Sequence, residues 1–169
     1  MLAMLDALPD CVSRGRKSLM SLGILALTIA SAGHGAAPSQ VICELGRVVV
    51  ADMPPSSDRG IYFIETNPAQ DGLMKMCPHL AHKLPAGYAA ADDDARSRAA
   101  EHVPTPGPQR PPAVIATIGV PLIAADGRSA TVKVTTECSG MCGSGMLYRY
   151  VRTAKGWRRD GKPTPSWVS

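Results

Sequence analysis

The stretch Ser129-Ala-Thr-Val-Lys-Val-Thr-Thr-Glu-Cys138-Ser-Gly-Met-Cys142-Gly-Ser-Gly-Met146-Leu-Tyr-Arg-Tyr-Val-Arg-Thr153-Ala-Lys-Gly-Trp157 decides the fold. Ala130, Val132 and Val134 alternate with Thr131, Lys133 and Thr135, the period of two of a strand with one buried and one wet face. After a glycine-rich loop, Met146 to Thr153 sets Leu147 and Val151 against Tyr148 and Tyr150. Ala154 to Gly156 then turns the chain into a further strand at Trp157. Upstream, the β-rich run Val114 to Ile123 is broken by Gly119 and Pro121, and Asp126-Gly127 supplies a turn into Ser129. These signals predict an α+β protein with a curved four-stranded antiparallel sheet over residues 113–169.

Working back from that module, residues 104–112 contain five prolines and read as an extended linker. Ahead of it, residues 33–103 are predicted to hold a hairpin and one short helix. The β-branched run Arg47 to Ala51 is the first expected strand, stopped by Pro54-Pro55, and Gly60 to Thr66 is the second. Ala89 to His102 is Ala-rich and can pair Asp92 with Arg96 and Asp94 with Arg98 at helical spacing. Lacking large apolar side chains, that helix is expected to bury little. Residues 67–84 have no clean periodicity.

At the start of the chain, Arg14, Arg16 and Lys17 precede the apolar run Leu19 to Ala32, which ends in Ala30-Ser31-Ala32. Residues 1–32 therefore read as a signal peptide cleaved after Ala32. The run has about 14 residues, short of the ~20 that span a bilayer, so no transmembrane anchor is expected. The chain reads as periplasmic or secreted. Residues 33–169 keep 15 of 18 basic and 12 of 14 acidic residues, a net charge of +3. The 4% aromatic content argues against a large aromatic-lined pocket, and 15 Pro with 16 Gly argue against a helical bundle. Cys43, Cys77, Cys138 and Cys142 remain after the leader, an even number in an oxidising compartment, which predicts a disulfide framework. Three connectivities are open. Cys138 and Cys142 can close a tight loop with Gly140, Gly143 and Gly145; if they pair, Cys43 and Cys77 are left for each other.

The run Cys138 to Gly145, with Tyr148, Gly156-Trp157 and the closing Trp167-Val168-Ser169, resembles the C-terminal module of small exported bacterial proteins of unknown function. In these a Cys-Gly-x-x-Cys-Gly-like loop leads to a Gly-x-Trp hairpin and a final Trp-Val/Ile-Ser. The resemblance covers residues 114–169; Ser139 stands where glycine is more usual. It implies export and fold, and carries no activity. The sheet looks like that of cystatin-like or nuclear-transport-factor-like α+β domains, an analogy of fold alone.

Three constellations carry chemistry. Met74, Met76, His79 and His82 crowd beside Cys77 with soft and borderline ligands suited to copper or zinc, set against the reading that Met fills cores and such His pairs lie on surfaces. Residues 128–169 carry eight basic and two acidic side chains, a net +6. Arg149, Arg152, Arg158 and Arg159 are the candidate binding residues there, for an envelope protein or an anionic surface; the bland reading is a solvated sheet face that protects an edge. Export makes nucleic acid an improbable partner. Asp92, Asp93 and Asp94 fan around a helix start rather than converging on one substrate atom, and no Gly-x-Ser-x-Gly elbow occurs. Trp157 and Trp167 read as anchors of the terminal hairpin. The sequence thus favours a non-catalytic exported binding protein. The competing classes are a copper or zinc binding protein and a small secreted hydrolase or hydrolase inhibitor.

Overall fold

The computed structural model of the chain describes residues 38–55, 61–101, 111–140 and 142–168. The segment expected to be a signal peptide and its expected cleavage site, and all but the last two residues of the proline-rich linker, lie outside the described residues.

The region predicted as a first strand is a helix. α1 spans Pro38–Ala51 and carries Val41, Leu45, Val48 and Val49 at helical spacing. Pro38 opens it, a position where a missing N–H costs nothing. The β-branched run Val48-Val49-Val50 argued for a strand, but burying Leu45, Val49 and Val50 on one helical face outweighs a weak local propensity. The expected N-terminal hairpin is accordingly replaced. β1, Ile61–Ile64, pairs in parallel on one side with β2, Tyr88–Ala90, and on the other with β3, Ala113–Ile118.

Two crossovers make those parallel pairings. Between β1 and β2 run α2, Leu73–Met76, and a 3-10 turn, Pro78–His82; between β2 and β3 runs α3, Asp93–Ala99. They step in opposite directions along the sheet, and crossovers of one hand that do so fall on opposite faces. The α1, α2 and 3-10 segments pack on one face, hereafter the inner one. Leu45, Val49, Leu73 and Leu80 meet Ile64, Ile118, Val132, Tyr148, Tyr150 and Trp157 there. Gly46 permits the close approach, since a β-carbon at its position would run into the side chains of Leu73 and Leu80. α3 covers the other face over β1 and β3, where Ala91, Ala95 and Ala99 pack on Phe63, Ala113 and Ile115. Small side chains let this helix lie close, so it buries more than its composition suggests.

The rest of the sheet is antiparallel. β4, Leu122–Ile123, and β3 both pair with β5, Ser129–Cys138; β5 pairs with β6, Ser144–Thr153. The far edge of β6 is shared by β7, Gly156–Arg159, and β8, Thr164–Val168. The sheet is therefore mixed and eight-stranded, with β2-β1-β3-β5-β6-β7 as its main order, rather than a separate four-stranded antiparallel sheet. Both halves of the chain contribute strands to it. Ala130, Val132 and Val134 face inward as their alternation predicts, and Asp126-Gly127 makes the expected turn, with Gly127 at φ 65°. On β6 the inward set is Tyr148 and Tyr150. Burial pushes the Tyr150 hydroxyl well above its ordinary value of 10.0.

Candidate binding face

Side chains that are register partners point to the same side of a sheet. The pairings Ser129 with Val151 and Val151 with Arg158 form one outward row. Leu122 with Thr131 and Thr131 with Arg149 form the next; Lys133, Leu147 and Thr164 form a third. A fourth runs Thr117, Thr135, Gly145 and Trp167. α3 covers the outer face over β1, β3 and the neighbouring end of β5, so among the described residues no helix is layered on the part of these rows that carries Lys133, Arg149 and Arg158. Lys133, Arg149 and Arg158 cross them on a diagonal, one on each of three adjacent strands. The ion pairs formed among the described residues use other cations. Leu122, 75% exposed, and Trp167, 39% exposed, flank the diagonal.

The four arginines singled out in the sequence are thus divided between faces. Arg149 and Arg158 are exposed on the outer face. Arg152 and Arg159 lie on the inward side and reach α1 and its C-terminal end. Arg152 pairs with Glu44 at 3.6 Å and places its guanidinium carbon 5.8 Å from the Trp157 ring centroid, while Arg159 donates to the Asp52 carbonyl at 3.4 Å. Lys133, missed as a candidate, completes the outer set. Its outward place in the Thr131-Lys133-Thr135 alternation was the available signal.

Cysteine pairs stand at disulfide distance at both ends of the fold. Cys43 and Cys77, with Cα atoms 5.6 Å apart, join α1 to the 3-10 turn region; Cys138 and Cys142, 5.8 Å apart, close the β5–β6 loop. Gly140 adopts φ 84°, and its N–H donates to the Glu101 carbonyl at 2.9 Å, tying this loop to the end of α3. The candidate metal residues are divided by burial. The Met74 side chain is packed in the inner core, whereas Met76, His79 and His82 are exposed. His79 and His82, three apart on a 3-10 turn, share one side of it. Among the described residues no group of three or more His, Cys, Asp or Glu gathers as a ligand set.

The acidic helix start has a structural role. Asp92 caps α3 by accepting from the Ala95 N–H at 2.7 Å, and Asp94 pairs with Arg98 as the spacing predicts. Arg96 turns instead to Glu65 at the carboxyl end of β1, donating from Nε at 2.9 Å and Nη2 at 2.7 Å, with a further bond to the Ala91 carbonyl. Glu65 also accepts from the Asn67 N–H, and the Arg96 guanidinium holds its carboxyl below the ordinary 4.5. An ion pair so fully bonded holds α3 to the sheet. On the inner side, Val41, Ile42, Pro121, Ile123, Gly127 and Arg152 line a shallow apolar groove of about 310 Å³.

The fold and site define an α+β protein with a half-covered mixed sheet. Compared with known proteins, the chain matches no family model, no curated protein and no solved structure. No helix among the described residues is long and apolar enough to cross a membrane.

Proposed function

We propose that this is an exported, non-catalytic binding protein that engages a partner in the periplasm or envelope through the outer face of β5, β6 and β7. The observation that carries this reading is the cationic diagonal of Lys133, Arg149 and Arg158 on a sheet face that α3 leaves open. Export is supported by the basic-then-apolar leader and by two cysteine pairs at disulfide distance, which suit an oxidising compartment. The test places a photo-crosslinking residue at Thr131, at the centre of the outer face, or at Arg47, exposed on α1. In bacterial cells exporting each protein, crosslinked adducts are expected from position 131 and not from position 47. Adducts from position 47 alone, or from neither, overturn the reading.

A further inference from the structure

We infer that the partner of the outer sheet face is the surface of an anionic phospholipid bilayer; this rests on the reading of that face as the binding surface. Three features of the face favour lipid. Its cations are spread singly over three strands, Lys133 on β5, Arg149 on β6 and Arg158 on β7, which suits a laterally mobile array of headgroups rather than one fixed anion. Between and beside them stand apolar side chains. Leu147 and Val151 are half-buried, and Leu122 projects at the margin with 75% of its surface exposed. Trp167 shares that face, and an indole with an apolar body and a polar N–H is suited to the headgroup boundary. Small outward residues, Thr131 and Thr135 among them, leave the face low between the cations, so a flat surface can meet cations and apolar groups together. Of the carboxylates on this side, Glu137 lies at the far end of β5, opposite Ile115, and Asp160 lies at the margin just after β7, its N–H donating to the Arg149 carbonyl at 2.8 Å, so the three cations outnumber the one acid near them.

Charge attraction and shallow apolar insertion act together here, each weak alone. Neutralising one cation is expected to weaken partitioning about fivefold and all three about a hundredfold. Binding should also fall steeply with salt.

The experiment mixes the mature protein with vesicles of phosphatidylcholine alone or with a third phosphatidylglycerol, and follows co-sedimentation and tryptophan emission. The chain has two tryptophans, and Trp157 is buried, so a response to lipid belongs to Trp167. Expected are sedimentation only with anionic vesicles, its loss in high salt and in K133Q/R149Q/R158Q, and quenching by bromine-labelled lipid that disappears in W167F. Circular dichroism and the urea midpoint establish that the variants fold. Equal binding to neutral vesicles, or binding unchanged in the triple variant, overturns the inference. So does retention on heparin without sedimentation on vesicles. If vesicles fail while position 131 still crosslinks to an envelope protein, lipid is excluded and the binding face stands; if both fail, the face itself is excluded.

Discussion

Trp167 lies across Gly145: the two are register partners on β8 and β6, and the indole occupies the space that a β-carbon at position 145 would need. The register of the pairing shifts between Gly145 and Met146, so the strand bends where the ring crosses it. Glycine in a strand interior weakens the strand, and an aromatic partner laid over it compensates by covering the bare backbone. Gly145→Ala should therefore destabilise by about 1–2 kcal/mol through overpacking. In a Trp167→Ala background the same substitution should cost clearly less, the remainder coming from the Ser166 hydroxyl, which also stands in the way of that β-carbon. Urea denaturation of the four proteins measures the coupling, and an equal cost in both backgrounds would remove this relationship.

The Glu65–Arg96 pair sets an acid limit. Because the folded carboxyl titrates below 4.5, its contribution is fully present above that pH and is lost as pH falls through the lowered folded value. Glu65→Gln should lower stability by about 2 kcal/mol at neutral pH, and the difference from wild type should shrink below about pH 4.5. Denaturation midpoints at pH 7, 5 and 3 test this. A difference that persists unchanged at pH 3 would assign the loss to packing alone.

Unequal losses are expected from the two disulfides. The Cys43–Cys77 link closes a loop with a sequence separation of 34, whereas Cys138–Cys142 closes one of 4. Chain-entropy arguments give roughly 3–4 and 2 kcal/mol. Intact mass of the exported protein, purified without reductant, should lie four hydrogens below the reduced chain, with no thiol open to alkylation. Replacing Cys43 and Cys77 by Ala should lower the urea midpoint more than replacing Cys138 and Cys142. The reverse order would show that the β5–β6 loop, not α1, is the element that most needs fastening.

The C-terminal strands were legible because their cues are local. Alternation at Ala130, Val132 and Val134, the Asp126-Gly127 turn and the Gly156 turn each specify geometry within a few residues. The short helix was legible from its Ala-rich run and the Asp94–Arg98 spacing, but Asp92, expected to pair with Arg96 inside it, caps it instead. The parallel pairing of β1 with β3 was not. Tyr62 and Val114 meet only because two crossovers lie between them, and no short-range pattern encodes that contact. In α1, helical spacing and β-branched character compete in the same residues, and tertiary burial of Leu45 and Val49 decides the outcome. For the candidate site, basic charge was readable but its sidedness was not. Arg149 and Arg152 are three residues apart on one strand and therefore face opposite ways.

That sidedness yields the most direct test of the binding face. Arg149→Gln with Arg158→Gln, and Arg152→Gln with Arg159→Gln, remove the same charge from opposite faces of the sheet. The measurement is the share of exported protein recovered with the sedimented envelope rather than in the soluble periplasm. The expected result is that the first pair moves the protein into the soluble fraction and the second leaves it with the envelope. Equal release by both pairs would mean that net charge, and not the outer face of β5, β6 and β7, holds the protein there.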